Sequence, residues 1–127
     1  MIGVNKVMLV GELCERPELR YTPEGTAVAC FSIAVTRACA GPGMRTQRDT
    51  DCFGVVAWRD LAEYCHQELE PGMCVCLEGR LKNHTWRDVL GRQTTRTEVI
   101  AERITVMDDA DWADADSRYD YEVHWRD

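Results

Sequence analysis

The stretch from Leu81 to Val99 contains the residues whose types and spacing most directly suggest chemistry. Trp86 lies there among Lys82, His84 and Arg87. A large aromatic side chain is normally mostly buried, yet the sequence neighbours of this one are polar or basic. Such a tryptophan either packs inward beneath a solvated loop or stays exposed to contact a flat, negatively charged partner.

Other aromatic and basic residues favour the exposed alternative. Trp58 ends a predicted strand and precedes Arg59, and Phe53 lies near the start of the same strand. Single-stranded nucleic acids are bound by this combination, because bases stack on aromatic rings at about 1–3 kcal/mol per base while cations contact the phosphates. As structural alternatives, Trp58 is a core residue beneath a helix and Phe53 fills a subunit interface. Further cations lie near the N-terminus and in a loop: Lys6, Arg20, Arg45 and Arg48.

Catalytic or metal chemistry is not indicated by the remaining residues. His66, His84 and His124 are scattered, and no Ser-His-Asp order, glycine-rich phosphate loop or H-E-x-x-H motif occurs. The seven cysteines include no C-x-x-C pair, which argues against a disulfide framework. Cys74 and Cys76 would share one face of a strand, but no second pair has ligand-like spacing. We therefore predict a protein that is not an enzyme and uses no metal or cofactor.

Length and charge divide the chain into two unequal parts. The 127 residues suit one domain, predicted over residues 1–107, where 13 basic and 14 acidic residues give a net charge of −1. Residues 108–127 hold 2 basic and 8 acidic residues, a net charge of −6, and are predicted to form an acidic, disordered tail. No membrane-length apolar run or signal peptide is evident, which favours an intracellular, cytoplasmic protein.

The pattern of apolar residues predicts a small all-β barrel. Strands are predicted at 5–13, within 16–38 after a turn, at 51–58, 73–86 and 94–107, with a loop at 39–50. In the second strand, Ala29, Phe31, Ile33 and Val35 alternate with polar or small residues and are predicted to face the core. Residues 59–72 have helical spacing that ends at Pro71. Five strands with one helix between the third and fourth indicate an OB-fold, a Greek-key barrel.

Several motifs in this order resemble the bacterial single-stranded DNA-binding proteins over roughly residues 3–107. The segments that carry the resemblance are "GVNKVMLVGEL", "RPELRYTPEGTAVACFSIAVTR", "VVAWRDLAEYC", "VCLEGRLKNHTWRD" and "GRQTTRTEVIAERI". The resemblance implies an OB-fold that assembles as a homotetramer, a dimer of dimers, and wraps single-stranded DNA during replication, recombination or repair. It also implies base stacking on Trp86 and Trp58, with Phe53 first an interface residue and second a DNA contact.

The chain departs from the family pattern at several positions. Cys39 and Cys52 occupy positions where the family usually has stacking tryptophans, so binding is expected to depend more on arginines, Arg37 among them. The tail ends Trp125-Arg126-Asp127, whereas the family usually ends in Pro-Phe. Because the tail is acidic like the family's, we still expect it to contact replication or repair proteins. The expected DNA site comprises Lys6, Arg20, Arg37, Arg45, Arg48, Phe53, Trp58, Arg59, Lys82, His84, Trp86 and Arg87.

A second function stays open for a specialised member of the family. In this alternative, the chain is an OB-fold interaction module, or a primosome-type scaffold, with reduced affinity for single-stranded DNA. The two cysteines in place of tryptophans favour it. The retention of Trp58, Trp86 and their basic neighbours opposes it.

Overall fold

The computed structural model describes residues 1–40 and 46–107; for residues 39, 40, 46 and 47 it describes the backbone only. Six strands and one helix make up this part of the chain. In chain order they are β1 (Val7–Leu13), β2 (Glu18–Tyr21), β3 (Ala27–Ala40), β4 (Thr46–Trp58), α1 (Asp60–Glu68), β5 (Cys74–Arg87) and β6 (Gln93–Met107). Within the same residues, no helix has the length and apolarity that a membrane span requires.

Five of the strands close into the predicted barrel. Its order is β1-β5-β6-β4-β3, and β3 returns to β1 through the pairs Glu12 with Ala34 and Leu13 with Ile33. The neighbours are antiparallel except β4 and β6, which are parallel. The helix separates β4 from β5, the third and fourth barrel strands, which confirms the OB-fold expectation.

The short strand β2 is an addition that the sequence pattern did not predict. It pairs antiparallel with the start of β3, from Glu18 opposite Cys30 to Tyr21 opposite Ala27. The turn between them is held by Gly25 N–H, which donates to the Thr22 carbonyl at 2.8 Å. Gly25 has φ +86°, a conformation that glycine adopts without steric cost.

The core forms where the inward faces of the strands meet the helix. Ala29, Phe31 and Ile33 are buried as the alternation predicts, while Val35 is only half-buried. Ala62, Cys65 and Leu69 close one end of the barrel and are fully buried. The predicted helix was too long at its end: α1 stops at Glu68, and Leu69 is already extended, three residues before Gly72 at φ +91°.

The predicted loop at 39–50 was also too long. The hairpin pairing of β3 and β4 extends to Ala40 opposite Thr46. Cross-strand side-chain pairs stabilise this extension, because the hydroxyls of Thr36 and Thr50 are 2.9 Å apart and Arg37 pairs with Asp49 at 3.8 Å. The predicted turn residues 41–45 lie outside the described part of the chain.

The pairing register of β5 with β6 shifts at Gly79, where a bulge was expected for a glycine inside a long strand. The pairing passes from Glu78 opposite Arg103 to Gly79 opposite Ala101, so Glu102 is an extra residue in β6. A Cβ atom added at Gly79 would clash with the backbone of Ile100. Only glycine therefore permits this approach of the two strands.

Replacing Gly79 with alanine should destabilise the barrel. We expect Gly79→Ala to lower the free energy of unfolding by about 1–3 kcal/mol, the usual cost of overpacking a core. Urea unfolding measures the change. Gly54→Ala is the matched control, since an added Cβ there meets no atom within 4 Å. Equal stability of the two variants would contradict the close contact at Gly79.

Candidate nucleic-acid interface

The pairing of β5 with β6 continues beyond the barrel as a two-stranded arm. Lys82 lies opposite Glu98, His84 opposite Arg96, and Trp86 opposite Thr94. Side chains alternate between the two faces of a strand, so these pairs share one face. We call it the outer arm face: Lys82, His84, Trp86, Thr94, Arg96 and Glu98.

Trp86 is exposed on this outer arm face and is not a core residue. It retains 38% of its accessible surface. Its ring lies 5.5 Å from the ring of His84, measured between centroids, and the Arg96 guanidinium carbon lies 5.8 Å from its centroid. A guanidinium within about 6 Å of an indole is attracted to it electrostatically. Trp86 is thus an exposed ring with cationic or ionisable neighbours.

Trp58 belongs to the same continuous surface. A cross-strand row runs from Arg20 on β2 through Val28 on β3 to Trp58 on β4. Trp58 is 39% exposed, which argues against the alternative that it is a core residue beneath the helix. Arg59 follows it at φ 59° and donates its backbone N–H to the Ala27 carbonyl at 2.8 Å, which fixes the junction of strand and helix.

A groove of about 530 Å³ lies between Trp58 and the arm. Four of the predicted site residues line it, namely Trp58, Arg59, Lys82 and His84. A second groove of about 450 Å³ adjoins it towards Arg16 and Gly54. The two grooves share four lining residues and form one path across the sheet: Cys30, Val56, Arg96 and Glu98.

Other predicted site residues lie away from this path. Phe53 lies opposite Ile33 on β3. By alternation along β4, Phe53 belongs to the inward face of the strand, whereas Trp58 belongs to the opposite face. Arg87 has the opposite parity to Trp86 on β5, and its Nη1 donates to the Gly91 carbonyl at 3.1 Å. Arg37 and Arg48 lie on the distal part of the β3–β4 hairpin, and exposed Lys6 precedes β1. Arg45 lies outside the described residues.

Arg16, Arg80, Arg96 and Glu98 line the grooves and were missed by sequence reasoning. Arg80 could have been found, since it is two residues before Lys82 and shares its face. Arg96 and Glu98 required the pairing register of β5 with β6. That register depends on the extra residue near Gly79, which a pattern of residue types does not reveal.

The tip of the arm is a tightly hydrogen-bonded turn. Asp88 accepts hydrogen bonds from the backbone N–H groups of Leu90 and Arg92, both at 2.9 Å, and from Arg92 Nε at 3.0 Å. Chiefly because of the Arg92 backbone bond, the pKa of Asp88 is lowered. The turn leaves Val89 and Leu90 exposed to solvent.

The cysteines show no arrangement that could bind a metal in the described residues, where no group of three or more potential ligands occurs. Burial raises the pKa of the Cys65 thiol to about 12, which suits an unreactive core residue. Burial, followed by the nearby Glu98 carboxylate, raises the pKa of Cys30 in the shared path. Cys52 is exposed, and the side chain of Cys39 lies outside the described part.

The chain is similar to a well-defined group of proteins. The sequence model of the single-strand binding protein family matches residues 4–107. The single-stranded DNA-binding protein of Bacillus cereus is 38% identical over 105 residues, which cover 83% of this chain and 61% of that protein. Single-stranded DNA-binding protein 2 of Listeria innocua is 34% identical over 119 residues, covering 94% and 74%. The chain thus spans about three fifths of the length of the Bacillus relative.

Solved structures show the same fold. A deletion mutant of the single-stranded DNA binding protein from Thermus aquaticus superposes with a TM-score of 0.75 at 30% identity, covering 84% of this chain and 52% of that one. The Plasmodium falciparum SSB complex with ssDNA gives a TM-score of 0.77 at 22% identity, covering 85% and 98%. At that identity the second likeness supports the fold alone.

The reactivity of Cys30 tests the placement of Glu98 beside it. Because the carboxylate raises the pKa of Cys30, Glu98→Gln should lower that pKa and increase the thiolate fraction at mildly alkaline pH. We expect alkylation of Cys30 by iodoacetamide, followed by peptide mass spectrometry, to become faster. Cys76 is the internal control, since its acidic neighbour is Glu78. An unchanged alkylation rate of Cys30 would show that the Glu98 carboxylate does not lie beside the thiol.

Proposed function

The chain belongs to the single-strand binding protein family, and on this premise we propose that it binds single-stranded DNA during replication, recombination or repair. One observation carries the proposal: Trp58 and Trp86 are both exposed along one cation-lined surface. No catalytic step, metal or cofactor is part of the proposed function. We place the protein in the cytoplasm, on the nucleoid.

Binding combines two interactions that do not depend strongly on base identity. Bases stack on the rings of Trp58 and Trp86, since every base has a flat π-face. Lys82, Arg59 and Arg96 contact the phosphates, and each contact releases counterions, so affinity falls as salt rises. Arg20 extends the surface at the Trp58 end of the path, although its Nη2 also pairs with Glu18 at 2.6 Å.

The remaining predicted DNA-contact residues have secondary roles in the proposed binding. Arg37, Arg45 and Arg48 would contact DNA that continues along the β3–β4 hairpin, and Lys6 would do so near the start of β1. The His84 ring lies beside the Trp86 ring at a tilt of 37° and adds a further hydrogen-bond donor. By alternation along their strands, Phe53 and Arg87 lie on the faces opposite the groove. We therefore assign them to DNA contacts only where the DNA passes to another face of the barrel or to another copy of the chain.

Cysteine at position 52 makes the stacking surface smaller than in a relative with tryptophan there. Cys52 is exposed on β4, at a position with the same parity as Trp58. A thiol offers no π-face, so each missing aromatic removes about 1–3 kcal/mol per base. Compared with such a relative, this chain therefore depends more on its cationic side chains for DNA binding.

A protein-interaction scaffold is the second candidate function. Its specific support is the arm tip, where the hydrogen-bonded turn holds Val89 and Leu90 exposed to solvent. Two adjacent apolar side chains on a rigid projection suit a protein contact. A scaffold with reduced DNA affinity would bind dT oligomers only weakly even at low salt concentration, which separates the two functions.

We further propose that the chain assembles as a homotetramer, a dimer of dimers. Within the described residues, β1 pairs with β5 along Val7–Glu12 but with β3 only at Glu12 and Leu13, which leaves an edge open. Exposed Met8 lies on that strand. An open, apolar edge is a template for pairing with a second copy. A single 14.5 kDa species in light scattering at micromolar concentration would contradict this assembly.

Removal of the Trp86 ring should weaken binding without changing its salt dependence. We expect Trp86→Ala to reduce the affinity for dT oligomers by about 1–3 kcal/mol for each base stacked on it. The slope of affinity against salt should stay the same, since no cation is lost. Tyr64→Ala is the matched control, because Tyr64 is also 38% exposed but lies on α1. Equal affinities of the two variants would exclude Trp86 as a stacking platform.

We propose that residues 108–127, outside the described part of the chain, form a tail separate from the 1–107 domain. Their net charge of −6 lets them compete with DNA for the cations and contact replication or repair proteins. Deleting them should tighten dT binding at low salt and have less effect at high salt, because the Debye length is about 10 Å at 0.1 M. Identical affinity and salt slope after deletion would show that the tail does not compete.

A further inference from the structure

Asn5 makes a two-point contact with the arm from a position outside the proposed DNA site. Its Oδ1 accepts a hydrogen bond from the Leu81 backbone N–H at 2.9 Å, and its Nδ2 donates to the Leu81 carbonyl at 2.7 Å. The two residues are 76 positions apart in the chain. Because one side-chain amide satisfies both backbone groups of one residue, we call this pair of hydrogen bonds the Asn5 bracket.

The Asn5 bracket continues the pairing of β1 with β5 beyond the start of β1. The backbone ladder of these strands ends at the pair of Val7 with Gly79. In the same register, Asn5 lies opposite Leu81, and hydrogen-bonded antiparallel pairs exchange both of their N–H···O bonds. At this step the side-chain amide of Asn5 takes the place of a backbone amide. The bracket therefore holds β5 where the backbone of β1 no longer does.

The bracket lies at the root of the arm. Leu81 follows the register shift at Gly79 and directly precedes Lys82, the first residue of the outer arm face. From Lys82 to Arg87, β5 pairs with β6. A two-stranded hairpin is only marginally stable on its own in water. A contact on the β1 side of β5 therefore restricts how far the arm can move relative to the barrel.

The position of the arm sets the width of the proposed DNA groove. Trp58 and Arg59 line the groove from the barrel, whereas Lys82 and His84 line it from the arm. Ordering a mobile segment on binding costs conformational entropy, which lowers the affinity for the ligand. A bracket that orders the arm before DNA arrives removes part of that cost.

We propose that Asn5 is a positioning residue for single-stranded DNA, because it holds the arm at the distance from Trp58 at which the two contact one strand together. The inference rests on the proposed binding of single-stranded DNA and adds a residue that acts through Leu81. Both hydrogen bonds of the bracket are exposed to solvent. Water replaces exposed hydrogen bonds at little cost to the fold, so the bracket affects DNA affinity more than the free energy of unfolding.

The experiment compares Asn5→Ala with Asn83→Ala in the full chain. Asn83 is the matched control, because its Oδ1 accepts an exposed hydrogen bond from Thr97 Oγ1 at 2.7 Å, which joins the two strands of the arm to each other. Asn5→Ala should weaken dT binding about three- to tenfold, the size expected for one or two hydrogen bonds, and should leave urea unfolding nearly unchanged. Asn83→Ala should bind dT as tightly as wild type.

Two further readouts separate positioning from a general structural role. Amide hydrogen exchange at Leu81 in the DNA-free protein should become faster in Asn5→Ala, because the bracket protects that N–H. In a Trp86→Ala background, Asn5→Ala should cost less affinity than it does in wild type, since the arm then carries no ring to position.

Each contrary outcome has a distinct meaning. Equal dT affinities of Asn5→Ala and Asn83→Ala, or unchanged exchange at Leu81, would overturn the positioning role alone. So would an affinity loss that is the same in the Trp86→Ala background, or one that accompanies a change of assembly in light scattering. Failure of wild type to bind dT oligomers would overturn the proposed function itself.

Discussion

The close approach of Gly79 to the backbone of Ile100 is the constraint on which the functional surface depends. At this point β6 contains one extra residue, Glu102, and the pairing with β5 shifts. A shift of one residue moves every following side chain to the other face of a strand. On the arm side of the bulge, Val99 and Ala101 consequently face the core. Arg96 and Glu98 lie on the opposite face, Arg96 beside Trp86 and Glu98 opposite Lys82.

The same constraint shapes the electrostatics of the outer arm face. The residues up to Met107 are nearly neutral in total, so the proposed attraction of a polyanion depends on the local arrangement of charges instead of the net charge. Lys82, His84 and Arg96 gather on one face through alternation and register. The carboxylate of Glu98 lies among them. The proposed DNA-binding residues of the arm thus come from two paired strands.

Much of the fold could be predicted from the sequence because it depends on alternation and on a few breaking residues. Ala29, Phe31 and Ile33 show the core face directly, and the OB-fold order follows from the position of the helix. The hairpin of β3 and β4 was underestimated because the glycines and proline of 41–43 indicated a long loop. Cross-strand pairs such as Thr36 with Thr50 extend the strands, and such pairs require a known register.

The sequence predicted which site residues share a face within one strand, but it did not predict which residues of the neighbouring strand lie beside them. Lys82, His84 and Trp86 share a face by simple alternation, whereas Arg87, adjacent to Trp86 in sequence, has the opposite parity. Arg96 lies ten residues from Trp86 in the chain, yet its guanidinium contacts that ring. This contact follows from the pairing register of β5 with β6, which the turn at Asp88 and the bulge near Gly79 set together. The residue types at the turn and at the bulge do not reveal that register.

The most direct test of the account is a nuclear magnetic resonance titration that follows the indole N–H signals of the assigned tryptophans as a dT oligomer is added. The account predicts that the signals of Trp58 and Trp86 shift together at the same DNA concentration, because both rings lie along one surface. If DNA binds while both signals stay unchanged, the strand uses another face and the assignment of this surface is wrong.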